Sequence, residues 1–142
     1  MGDRPFYVVF TAFQILAVGL VLRFVVFRPG LWDWQRYIGT ALVFLGLAGL
    51  IAARYQLGRS FSLSPQAREL VTRGVYSKIR NPIYVFGTVE IAGLVLVLRH
   101  PELWLLLPPI LIVQTLRARR EAQVLEAAFG DAYREYRRKT WF

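Results

Sequence analysis

LVTRGVYSKIRNPIYVFG, residues Leu70 to Gly87, is a polar, basic loop that runs straight into an apolar run. Gly74, Tyr76, Lys78, Arg80, Asn81, Pro82 and Tyr84 stand close together in it. Pro82 suits the first turn of a helix, where its missing N–H removes no intrahelical bond. Asn81, the residue before it, is pushed towards an extended conformation. Arg80 and Asn81 are therefore expected on the rim of a helix end, with Tyr84 one turn inside. Cation, amide and phenol converge where an apolar core meets water, a place suited to a polar cofactor meeting an apolar substrate.

The rest of the composition agrees with a bilayer boundary. The chain has 142 residues, of which 56% are hydrophobic. Its mean hydropathy of +0.40 is too high for an ordinary soluble domain. The absence of cysteine excludes disulfides, thiolate metal sites and a cysteine nucleophile. His100 is the only histidine, which excludes multi-histidine metal sites. The net charge of +9 is explained by anionic lipid headgroups and cytoplasmic loops rather than by nucleic acid. No glycine-rich nucleotide-binding turn is present.

Outward from the loop, the spacing predicts an all-α integral membrane protein of about four transmembrane helices plus a cytoplasmic amphipathic C-terminal helix. Phe6 to Phe27 is long enough, at about 33 Å, to cross a bilayer. Its mid-span Gln14 is expected to bond a neighbouring helix. Arg28 to Arg36 forms a turn, with Trp32 and Trp34 at headgroup level. Tyr37 to Ala53 is the second span, where Gly39, Gly46 and Gly49 and the pairs Ala48/Ala52 and Gly49/Ala53 allow close packing. Residues 54–81 form the cytoplasmic loop, in which Ser60, Ser62, Ser64 and Pro65 argue for irregular structure and Pro65 to Thr72 suits a short interfacial helix. Ile83 to Leu98 is the third span. A fourth, over 102–117, contains Pro108 and Pro109, which are expected to kink it. From Arg117 to Lys139 an apolar stripe of Ala118, Ala122, Leu125, Phe129, Ala132 and Tyr136 recurs at helical steps. Gly130 is placed to end one helix and start another. With both termini inside, fourteen Lys and Arg residues lie on the inner segments and four on the outer ones. That bias puts the signature loop and the C-terminal helix on the cytoplasmic face.

The loop resembles the pattern G-x-Y-x-x-x-R-(H/N)-P-x-Y-x-x-G of the isoprenylcysteine carboxyl methyltransferase and phospholipid methyltransferase superfamily, with Gly74, Tyr76, Arg80, Asn81, Pro82, Tyr84 and Gly87 in place. EAQVLEAAFGDAYREY is similar to that superfamily's second motif, through Glu121, Leu125, Phe129, Gly130, Tyr133 and Tyr136. Ala122 stands where members carry a second acid, and Asn81 where many carry histidine. The resemblance runs from about Leu57 to the C-terminus. It implies a membrane enzyme that uses S-adenosylmethionine without a Rossmann domain and releases S-adenosylhomocysteine. The acceptor it implies is a lipid or lipidated molecule, a prenylcysteine-like carboxylate foremost, with phospholipid amine methylation as the alternative. A sterol-reductase-like, NADPH-binding protein shares the R-N-P-x-Y region and is a further alternative. Oligomeric state is not encoded in these motifs.

On that resemblance, Glu121 suits the cofactor's ammonium and Arg80 its carboxylate. Tyr76, Tyr84 and Tyr133 offer aromatic faces to adenine and sulfonium, and Asn81 can donate and accept. Gly74 shapes the loop. Glu90 lies mid-span, where a charged group costs on the order of 2.5–3.5 kcal/mol. It is expected to line the cavity and, with Arg80, to serve catalysis. No metal is implied.

Overall fold

The computed structural model describes residues 4–27, 30, 32–58 and 70–142. Among these the chain is helical, without strands. The helices are α1 (Arg4–Val26), α2 (Trp34–Leu57), α3 (Pro82–Leu98), α4 (Leu107–Phe129) and α5 (Asp131–Lys139). Short 3-10 turns at Gly74–Ser77 and Pro101–Leu106 precede α3 and α4. α2 is long and apolar enough to cross a membrane, and α3 is a shorter apolar helix.

The core is the antiparallel seam between α2 and α3. Gly39, Val43, Gly46, Gly49, Leu50 and Ala53 are buried along it. A methyl group at Gly46 would lie 2.6 Å from the Glu90 Cβ, and one at Gly93 would lie 2.7 Å from the Gly39 carbonyl oxygen. Neither helix can approach this closely with a side chain in the way. Among the small residues of α2, Ala48 is exposed and Ala52 half-buried, so the Ala48/Ala52 pair is not the packing face. α1 lies across the seam through Ala17, Val21, Val43 and Leu94. α4 runs back along α3 through a Thr88 to Gln114 hydrogen bond of 3.0 Å.

Polarity is inverted relative to a soluble protein. Glu90 is 0% exposed, whereas Ile15, Leu45, Ile51 and Ile112 are each more than half exposed. Gln14 Nε2 donates to Glu90 Oε2 at 3.2 Å, the interhelical bond expected of a mid-span glutamine.

Three expectations are revised. Pro108 and Pro109 sit in the first turn of α4 and produce no mid-helix kink. A 3-10 turn leads into them, and a proline in a first turn displaces no hydrogen bond. The fourth apolar segment and the amphipathic segment are also one continuous helix, because nothing at Arg117 breaks the backbone ladder. The break comes at Gly130, whose φ of 51° ends α4. That break rotates the stripe: Tyr133 and Tyr136 are buried, and Ala132 is exposed. Residues 59–69, which contain the serines and most of the Pro65–Thr72 segment, lie outside the described residues, and Leu70 to Thr72 are not helical.

Candidate active site

Two segments far apart in sequence meet at the N-terminus of α3. Pro82 opens that helix, preceded by Asn81 at φ −121° and ψ 58°. Asn81 is the N-cap, yet its side chain caps no backbone N–H. Tyr84, in the first turn, donates from its hydroxyl to Glu121 Oε1 on α4 at 2.6 Å. The Arg117 guanidinium lies 5.9 Å from the Tyr84 ring, within cation–π range. Burial lifts the Glu121 carboxyl above its ordinary range, with the Tyr84 hydrogen bond and the Arg117 charge opposing the rise. The result is a half-buried carboxylate held by a phenol beside a cation.

Below this pair lies an aromatic floor. Tyr76 is 6% exposed and Tyr133 3%. Tyr136 donates to the Tyr76 carbonyl oxygen at 2.7 Å, joining α5 to the loop. Burial, with Tyr133 beside it, pushes the Tyr136 phenol up to about 12, so it remains a donor at neutral pH. Tyr76 is also raised, by burial first and then by Tyr136 and Glu121. Arg80 acts electrostatically on Tyr133 and Tyr136. Its Nε is buried without a hydrogen-bond partner. A buried donor of this kind calls for an acceptor supplied from outside the chain.

The loop is fixed from two further sides. Gly74, at φ +60°, adopts a conformation that disfavours a side chain, and a Cβ there would collide with Gln56. That close approach lets Gln56 Oε1 accept from the Val75 N–H at 2.8 Å. On the other side, the tail after α5 pairs with the loop backbone. Arg80 N–H donates to the Trp141 carbonyl and Asn81 N–H to that of Phe142, each at 2.9 Å; Trp141 N–H donates to the Lys78 carbonyl at 2.8 Å. No periodicity marks Thr140–Phe142, and no motif reaches it, so its role was not visible in the sequence. Gln56 was missed for the same reason.

The structure thus brings together Tyr76, Arg80, Asn81, Tyr84, Glu121 and Tyr133. Gly74 belongs to the same loop but faces Gln56. Glu90 is elsewhere: it sits in the α1–α2–α3 seam with Gln14, and no hydrogen bond among the described residues links it to the cluster. Among the described residues there is no group of histidine, cysteine or acidic side chains able to hold a metal. His100 lies at the far end of α3, bonded to Glu102 at 2.7 Å.

No curated protein and no solved structure matches the chain. The family model for phospholipid methyltransferases matches residues 34–132, a stretch that holds α2, the signature loop, α3 and the Glu121 helix. Since that stretch is well over half of the sequence and contains the Tyr84–Glu121 junction, the chain belongs to the phospholipid methyltransferase family.

Proposed function

We propose that this protein is an integral membrane methyltransferase that uses S-adenosylmethionine to methylate a membrane-embedded acceptor at the Arg80–Tyr84–Glu121 site. Family membership indicates methyl transfer. The observation that carries the reading is the 2.6 Å bond from Tyr84 to Glu121, which joins the two motifs across 37 residues. The residues present fit the cofactor. Glu121 suits its ammonium, the unpartnered Arg80 guanidinium suits its carboxylate, and the uncommitted Asn81 amide suits a mixed donor–acceptor edge. Tyr84 offers a ring face, while Tyr76 and Tyr133 form the floor, and Gly74 sets the loop against α2. When bound, S-adenosylmethionine supplies a methyl group made electrophilic by the sulfonium. The chain contributes orientation and exclusion of water.

Four spans, with both termini and the site on the cytoplasmic face, account for the placement. The signature loop and α5 meet at one end of the helices, where Lys and Arg are concentrated, and apolar side chains face outward on α1, α2 and α4. The family description favours a phospholipid amine as acceptor. A phospholipid amine attacks as the free base, its proton passing to water at the headgroup level. A prenylcysteine-like carboxylate is the second reading. It is favoured by the position of His100, which leaves no histidine base at the site, since a carboxylate needs none.

The test is transfer of labelled methyl groups from S-adenosylmethionine in membranes that contain the protein. Label in the lipid fraction that survives alkali is N-methyl; label released as methanol is a methyl ester. Absence of protein-dependent label in either form would overturn the proposal.

A further inference from the structure

The end of the α2–α3 pair opposite the signature loop, roughly 25 Å away along α3 at 1.5 Å per residue, carries a second charge cluster. Asp33 caps α2 by accepting the Arg36 N–H at 3.0 Å. Its other oxygen pairs with Arg99 Nη1 at 2.9 Å. Asp33 is therefore fully engaged. Glu102, on the turn that follows Arg99, is engaged by His100. Arg36 is only 6% exposed. Its guanidinium forms no ion pair or hydrogen bond among the described residues, and its Nη1 is completely buried without a partner. A guanidinium has five N–H donors and cannot shed its charge. Left unpaired in a buried position it is strongly unfavourable.

The side chain is aimed back over the N-terminal end of its own helix, with its central carbon 5.9 Å from the ring of Trp32, just before the cap. The positive end of the helix dipole adds to the same field. Around it Trp32, Trp34 and Tyr37 are 40%, 63% and 59% exposed. Exposed tryptophan and tyrosine at the end of an apolar helix mark the headgroup level of a bilayer. Arg99, whose side chain is 46% exposed, is tied to the same helix end through Asp33.

We propose that Arg36 and Arg99 bind a phosphate group, that of a lipid headgroup in a bilayer, at a site separate from methyl transfer. A phosphate diester supplies the missing counter-charge and accepts from a guanidinium in the bidentate manner that suits arginine. The lipid source rests on the membrane placement proposed above; the phosphate chemistry does not.

The experiment follows thermal unfolding of the full chain, stripped of lipid in detergent, with three additions. These are a short-chain phosphatidylglycerol, the diacylglycerol with the same chains, and inorganic phosphate. Phosphatidylglycerol is expected to raise the melting temperature by several degrees and diacylglycerol to leave it unmoved. In lipid-free detergent Arg36→Gln should melt at or above the wild type, because a buried unpaired charge has gone. With phosphatidylglycerol the order should reverse, and Arg99→Gln should weaken the apparent affinity about tenfold. Inorganic phosphate producing the whole shift would support the site and assign it to free phosphate. The proposal is overturned if neither phosphate-bearing addition moves the wild type, if diacylglycerol matches phosphatidylglycerol, or if Arg36→Gln shifts as far as the wild type. Should Arg36→Gln fail to fold, Arg36→Lys decides: it keeps the charge but loses the fork, so a wild-type shift there and in Arg99→Gln also overturns it.

Discussion

Glu121 joins pH, stability and binding in one side chain. Its carboxyl is raised above the ordinary 4.5 by burial, so folding favours the protonated form. The stability this group contributes is therefore complete below about pH 4.5 and is lost as pH rises through the raised folded-state value. Glu121→Gln still accepts from the Tyr84 hydroxyl but has no charge to bury. The difference in melting temperature between variant and wild type should grow in the variant's favour from pH 4 to pH 8, with the variant at least as stable at neutral pH. S-adenosylmethionine binding by the same variant should weaken about tenfold or more, since a charge-assisted hydrogen bond is worth roughly 1.5–3 kcal/mol. A variant less stable than wild type at neutral pH would contradict this account of Glu121. Glu90 answers to a different measurement. Its bond to Gln14 and its position in the helix seam predict that Glu90→Gln keeps fold, cofactor affinity and turnover. A fall in turnover at unchanged melting temperature would instead assign the carboxyl to catalysis.

Among the elements, the tail is the one whose removal is most informative. The Thr140–Phe142 segment accepts from the Arg80 and Asn81 amides and so holds the corner at which α3 begins. Its deletion should speed hydrogen exchange at those two amides and weaken cofactor affinity, with α1 to α4 intact. Faster exchange without loss of affinity would reduce the tail to a structural strap. In the seam, Gly46→Ala should destabilise by about 1–3 kcal/mol through overpacking, because the added methyl meets the Glu90 Cβ and backbone rather than a flexible tip. An unchanged melting temperature would show that α3 can move aside. The elements differ in how far the sequence exposed them. Gly39, Gly46, Gly49 and Ala53 marked the packing face, whereas the Ala48/Ala52 pair, equally spaced, lies off it. Arg80 and Tyr84 were visible as a polar motif at a helix start, and Glu121 through the resemblance of the second motif to the superfamily's. The tail was not, because parallel backbone pairing leaves no trace in side-chain identity. The register of α5 was hidden too. One glycine at positive φ resets the helical phase, and the buried face moved from Ala132 to Tyr133. Arg134, exposed at the surface, ties Glu126 to Asp131 across that same glycine.

At the scale of the whole molecule, an inside-out distribution of polarity and a site gathered at one end are two aspects of one design. Helices that pack through glycine turn their large apolar side chains outward, and the polar motifs collect at one end of the helices. Single cysteines at Lys78 and Gln123 should therefore label from one side of the membrane and a cysteine at His100 from the other. Labelling of all three from one side would overturn the four-span arrangement. The central claim is that the signature loop and the α4–α5 segment together hold S-adenosylmethionine. Calorimetry of the purified protein tests it most directly. S-adenosylmethionine should bind, NADPH should not, and Arg80→Ala and Glu121→Ala should each weaken binding about ten- to a hundredfold, while Arg119→Ala, on the exposed face of α4, leaves it unchanged. Absence of S-adenosylmethionine binding, NADPH binding in its place, or full affinity in both Arg80→Ala and Glu121→Ala would contradict the account.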